Sequence, residues 1–97
     1  MSFAKKVDRS QDTIVGALRD VGATVISMTG DTQIGYDLTV VFRGVVYIVE
    51  VKNADDPPSK RELTKREKQR KYDVERAGGV YHVWESAEQA LRAVGAI

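Results

Sequence analysis

The 97-residue chain has no cysteine at all, one histidine, one tryptophan and only two prolines, which are adjacent. Without cysteine there is no disulfide framework and no thiolate metal site, so zinc ribbons and related modules are excluded and a reducing cytosol suits the composition. No apolar run approaches the ~20 residues needed to cross a bilayer, and the N-terminus lacks a signal-peptide stretch. A soluble, cytoplasmic protein with no membrane partner is expected. The single His82 sits mid-strand between apolar residues with no evident Ser, Cys or Asp partner, so a structural role is expected for it. Trp84 and the tyrosines are read as core or interface residues. Gly30, Gly35 and Gly44 form no phosphate loop, since none follows a strand and opens a helix at the required spacing.

What is present fits one small globular domain, residues 1–97, with 42% hydrophobic and 30% charged residues. A chain this short buries a modest share of its surface, which favours a homodimer. The net charge is only +1, but it is unevenly spread. Residues 60–76 hold eight Lys or Arg against four acidic residues, and Lys5, Lys6 and Arg9 form a second basic cluster. Asp31, Asp37, Glu50, Asp55 and Asp56 occupy the middle. Basic flanks around an acidic centre suit a polyanion bound over a metal site, while a solvated charged helix is the plain alternative.

Periodicity divides the chain into alternating elements. Val7, Ile14, Leu18 and Val21 form one helical stripe with Val15 beside it, and Gly22 stops that helix. Gln11 interrupts the stripe where an apolar residue is expected. Ala23 to Met28 reads as a strand, and Thr29 to Gly35 as a loop. Tyr36 to Phe42 and Val45 to Lys52 are strong strands joined by Arg43-Gly44, a hairpin signal. Asn53 to Ser59 is expected to be an exposed loop, because no helix passes through Pro57-Pro58. Thr64 to Ala77 is a helix opened by a Thr64/Glu67 capping box and ended by Gly78-Gly79. Val80 to Trp84 is a strand, and Ser86 to Val94 a last helix. The order α-β-β-β-α-β-α gives an α/β domain, a mixed sheet with helices packed on it.

The hairpin brings chemistry to one place. With a two-residue turn, Phe42 pairs with Val45 and Asp37 falls opposite Glu50. Opposed Cβ atoms lie about 4.5–5.5 Å apart, where like charges repel. Lys52 shares the face of Glu50. Leu38, Val40, Phe42, Val45, Tyr47, Val49 and Val51 make the other face, an apolar core face. Two opposed carboxylates become favourable when a hard divalent cation bridges them. A bulged turn would move Asp37 off Glu50 by one position.

Gly35-Tyr36-Asp37 followed by Ile48-Val49-Glu50-Val51-Lys52 resembles the PD-(D/E)XK nuclease signature, and the element order is that superfamily's restriction-endonuclease-like core. Val7-Asp8-Arg9-Ser10-Gln11, Arg43-Gly44, Leu63-Thr64 and Val80-Tyr81-His82-Val83-Trp84 are similar to small stand-alone, often phage-encoded VRR-NUC nucleases. The resemblance implies that Asp37, Glu50 and the Val51 carbonyl hold Mg²⁺ or Mn²⁺, and that Lys52 orients or activates the attacking water. It implies a metal role, direct or through water, for the Gln11 amide oxygen. Glu67 stands where the family usually has Gln, as a site residue or simply as the helix cap. Tyr36 replaces the proline that usually precedes the aspartate. Lys60, Arg61, Lys65, Arg66, Lys68, Arg70 and Lys71 are candidates to hold a phosphate backbone without reading sequence. The implied activity is metal-dependent hydrolysis of DNA, branched or duplex, of the Holliday-junction-resolvase kind, by a homodimer in bacterial or phage-infected cytosol. The alternative is a non-catalytic nucleic-acid-binding or recombination accessory module on the same fold.

Overall fold

The computed structural model describes residues 9–97. Val7, Lys5, Lys6 and the Arg9 side chain, to which the helical stripe and the N-terminal basic cluster extend, lie outside that description. In chain order the elements are α1 (Arg9–Asp20), β1 (Thr24–Ser27), β2 (Leu38–Phe42) and β3 (Val45–Val51). They are followed by α2 (Pro58–Arg61), α3 (Lys65–Arg76), β4 (Tyr81–Trp84) and α4 (Ala87–Ala93).

The four strands form one sheet in the order β1-β2-β3-β4, antiparallel except for the β3–β4 pair. The hairpin has the expected register, from Phe42 beside Val45 to Leu38 beside Val49. Its turn residues Arg43 and Gly44 both have positive φ, at 51° and 82°, the pattern of a type I′ turn that matches strand twist. Arginine is a poor choice for that conformation. Two contacts offset the strain: its guanidinium lies 4.7 Å over the Phe42 ring, and its Nη1 donates to the Gly95 carbonyl.

Strand alternation then separates two faces. Val25, Leu38, Val40, Phe42, Val49 and Trp84 point to one side, where Ile14 and Leu18 of α1 and Ala90 and Val94 of α4 close over them. Each fully buried Leu or Val in that layer contributes roughly 1.5–3 kcal/mol of transfer free energy. Tyr47 and Val51 pack at its margin, and Val45 at the hairpin tip is exposed. His82 is half-buried between Tyr47 and Trp84, with ring centroids 5.3 and 5.5 Å away, and burial holds its pKa below the ordinary value. That is a structural histidine.

The opposite face carries Thr39, Val41, Val46, Ile48 and Glu50. It is only partly covered, with Val46 and Ile26 exposed, and α3 crosses it beside β4.

Two expectations need correction. Val21 is exposed and not part of the buried stripe, because α1 has already ended at Asp20. The Pro57-Pro58 segment is not simply a loop. Pro57 caps a one-turn helix that begins at Pro58, where the missing N–H would have had no helical partner anyway. Among the described residues no helix is long and apolar enough to cross a membrane.

Candidate active site

Asp37 sits one residue before β2, and its backbone is pinned on both sides. Its N–H donates to the Val49 carbonyl at 2.9 Å, and its own carbonyl accepts from Met28 N at 2.8 Å. Its side chain completes the clamp, with Oδ2 accepting from Val51 N at 2.8 Å. Asp37 therefore grips the residues immediately before and after Glu50.

Glu50 is the one charged residue buried among the described residues, only 3% exposed. Its Oε2 lies 3.3 Å from Lys52 Nζ. Its Oε1 is buried with no hydrogen-bond donor. The acidic groups around Glu50 are the carboxylates of Asp37 and Glu67, so only a proton or a cation satisfies that oxygen. Burial first, then the Glu67 carboxyl and the Asp37 charge, push the Glu50 pKa up to about 9. Burial raises Asp37 as well, against the opposing pull of the Val51 N–H.

Lys52 follows one step along the same face, its backbone N–H tied to the Trp84 carbonyl. Its ammonium bridges Glu50 and Glu67, the latter at 3.0 Å. Burial pulls its pKa down, but the two carboxylates outweigh that and the net shift is upward, so Lys52 is a cation here.

Glu67 is delivered by the start of α3. The capping box with Thr64 is complete: Thr64 Oγ1 accepts from Glu67 N, and Glu67 Oε1 accepts from Thr64 N at 2.8 Å. The same Oε1 accepts from Lys52 Nζ. Burial raises the Glu67 pKa, but the Glu50 hydrogen bond, the Thr64 N–H and Lys52 together bring it below the ordinary value. The cap and the site contact coexist in one oxygen.

A cleft of about 280 Å³ opens over this cluster, between the β1–β2 connection and the N-terminus of α3. Thr29, Asp31 and Tyr36 line one wall and Thr64 and Arg66 the other, with Asp37, Glu50 and Glu67 also lining it. Three contacts bolt the walls together. Arg70 Nε donates to the Ile34 carbonyl at 2.7 Å, Arg66 Nη2 to Gln33 Oε1 at 3.2 Å, and the buried Tyr81 hydroxyl to the Gly35 carbonyl at 2.7 Å. Burial raises the Tyr81 pKa, with Glu50 adding to it, so its hydroxyl stays a donor.

The structure thus brings together Asp37, Glu50, Lys52 and Glu67 from the sequence-derived set. Gln11 is placed at the rim, its Nε2 donating to Thr29 Oγ1 at 2.9 Å. Among the basic candidates, Lys60, Lys65 and Lys68 are exposed and form no ion pair among the described residues. Arg61 is engaged with the Asp56 carbonyl and Glu85, Arg70 with Ile34 and Asp73, and Lys71 with Glu75. Gly35 and Tyr81 fall within the motifs that carry the resemblance, but the sequence assigned neither a role in the site. The signal for Tyr81 is strand parity, since it pairs with Ile48 and so shares the face of Glu50, but that requires the parallel β3–β4 register.

No protein-family model matches the chain, and no curated protein does either. A solved structure described as a VRR_NUC domain does match, with a TM-score of 0.65 and 24% sequence identity, over 92% of this chain and 94% of that one. The mixed sheet and its flanking helices therefore share the α/β fold of that solved domain.

Proposed function

We propose that this chain is a divalent-cation-dependent endonuclease that hydrolyses DNA phosphodiester bonds at the Asp37–Glu50–Lys52 centre. The observation that carries the reading is the buried, donorless Oε1 of Glu50, pressed against two other carboxylates. Burying an acid this way does not serve stability, because a well-packed apolar residue would be more favourable.

The donor set fits Mg²⁺ or Mn²⁺. Asp37 and Glu50 offer hard oxygen ligands with the Val51 carbonyl assigned beside them, and there is neither thiolate nor imidazole in the cleft. Among the described residues no group of three or more acidic or imidazole side chains is placed to hold a metal ion, so Asp37, Glu50 and the Val51 carbonyl would be the chain's whole share of the site. A bound cation supplies charge that lowers the pKa of water and offsets charge on the phosphoryl oxygens. Asp37, anchored by Val51 N–H, holds its carboxylate rigid for that task. Lys52, already protonated and steered by Glu67, donates hydrogen bonds to the phosphate as negative charge builds. Gln11, tied to Thr29 on the cleft wall, is the fourth member of the set, with its amide oxygen assigned to the cation or its water. Lys60, Lys65, Arg66 and Lys68 hold neighbouring phosphates.

Branched DNA of the four-way-junction kind is the proposed substrate, and a homodimer in bacterial or phage-infected cytosol the proposed working form. A two-fold pair sets two centres against two strands. The exposed apolar Ile26 and Val46 on the open sheet face are suited to cover by a second copy. The test is a panel of labelled four-way junction, flap, duplex and single-stranded DNA, incubated with Mg²⁺, Mn²⁺ or EDTA. The expected result is cation-dependent cleavage that favours branched DNA. Binding without cleavage in any cation would instead identify an accessory binding module.

A further inference from the structure

The side of α3 that faces the sheet is accounted for: Glu67 and Arg70 serve the cleft, and Val74 packs against Gly79. The opposite side carries a residue that solvation does not explain. Tyr72 is 60% exposed, on a helix with no buried residue. At about 100° per residue, Lys65, Lys68, Gln69 and Arg76 all lie within about 60° of it around the helix axis. All four are exposed, and the Arg76 guanidinium lies 5.9 Å from the Tyr72 ring. Glu75 is the acidic neighbour on this side, and its carboxylate is held by Lys71 at 2.8 Å. The result is a cationic stripe with one aromatic ring set into it, running about 16 Å along the helix.

The stripe is continuous with the cleft. Lys65, Arg66 and Gln69 line a shallow groove of about 450 Å³, and Arg66 also lines the cleft wall. A polyanion leaving the cleft along α3 meets Lys65 and Lys68 before it reaches Tyr72 and Arg76.

We propose that this face of α3 binds an unpaired strand of DNA, with phosphates on Lys65, Lys68 and Arg76 and one base stacked on Tyr72. The inference rests on the nuclease reading and goes beyond it, because it adds, beside the cleft, a contact for any unpaired segment that a branched DNA carries. Paired bases hide their faces inside the stack, so a ring lying along a helix surface gains a stacking partner only from an unpaired nucleotide. Stacking of this kind tolerates any base, and the surrounding cations make it salt-dependent.

Fluorescence anisotropy in EDTA, where no cation-dependent cleavage occurs, tests the proposal with a labelled oligothymidine strand and a blunt duplex of equal length. Tyr72→Ala is expected to weaken single-strand binding about tenfold while changing duplex binding less than about twofold, and Tyr72→Phe to stay within about twofold of wild type. The proposal is overturned if Tyr72→Ala binds the single strand as wild type does, if it weakens both substrates equally, or if the wild type binds neither. Cation-dependent cleavage, measured separately, keeps the two readings apart. Intact cleavage without strand-selective binding sinks this inference alone, and selective binding without cleavage in any cation sinks the nuclease reading alone.

Discussion

Gly35→Ala is expected to cost about 2–4 kcal/mol of stability and to abolish cleavage even where the variant is still folded. Two independent penalties meet at this position. Gly35 has φ +82°, in the left-handed region that side chains avoid. A Cβ there would also lie 2.8 Å from Arg70 Cβ and 3.1 Å from the Arg66 backbone carbonyl. Neither neighbour is the loose end of a side chain, so α3 or the β1–β2 connection must shift. If α3 moves, Glu67 leaves Lys52. If the connection moves, the Tyr81 bond to the Gly35 carbonyl breaks and Asp37, two residues on, loses its clamp. Gly22→Ala is the control, since φ is +96° but no atom lies within 4 Å of the added Cβ. That change is expected to cost about 1 kcal/mol and leave cleavage intact. Urea denaturation of both variants, with cleavage rates taken below their melting temperatures, separates strain from displacement. A Gly35→Ala protein as stable as Gly22→Ala and still active would show that close contact with α3 does not hold the site.

These positions also mark how far the sequence can be read. The hairpin was legible because its constraints are local. A two-residue turn fixes the register, the register fixes which side chains share a face, and Asp37, Glu50 and Lys52 follow. The Thr64/Glu67 capping box was legible for the same reason, its partners three residues apart. What was not legible depends on long-range placement. The reach of Arg70 to Ile34 and of Tyr81 to Gly35 spans 36 and 46 residues and appears only once α3 and β4 are docked. The two readings of Glu67, cap or site, looked exclusive in the sequence, because nothing there shows that one carboxylate oxygen can serve Thr64 N and Lys52 Nζ together. That Tyr72 faces solvent and not the core or an interface is not legible either, because the face of α3 that meets the sheet depends on the same docking.

Glu50→Gln is expected to raise the stability of the cation-free protein at alkaline pH while eliminating cleavage. With its pKa pushed up to about 9, Glu50 keeps a proton in the native state that the unfolded chain loses near 4.5. The native state therefore binds more protons between about pH 4.5 and 9, and stability falls as pH rises through that window. Asp37, also raised, acts in the same direction just above its ordinary 3.8. Glu67 has the opposite sign: its lowered pKa gives stability present above its ordinary 4.5 and lost as pH falls below it. Lys52, raised, loses its contribution only above its ordinary 10.5. Glu50 thus dominates the neutral range. Wild type in EDTA is expected to lose on the order of 2 kcal/mol between pH 5 and about 8.5, and Glu50→Gln to show a flatter profile. Mn²⁺ is expected to restore wild-type stability by replacing the proton, and to leave the variant unchanged. Equal slopes in the two proteins would mean that neither burial nor the neighbouring carboxylates raise Glu50, and would remove the crowding of negative charge on which the cation site is argued.

The most direct measurement is the single-turnover cleavage rate of labelled branched DNA in Mn²⁺, taken for wild type, Glu50→Gln and Lys52→Ala at matched, saturating protein. The site geometry predicts cleavage by wild type that EDTA abolishes, none by Glu50→Gln, and at least about a hundredfold loss in Lys52→Ala with DNA binding retained. Cleavage that persists in EDTA, or a Lys52→Ala rate equal to wild type, would contradict the assignment of Asp37, Glu50 and Lys52 as the hydrolytic centre.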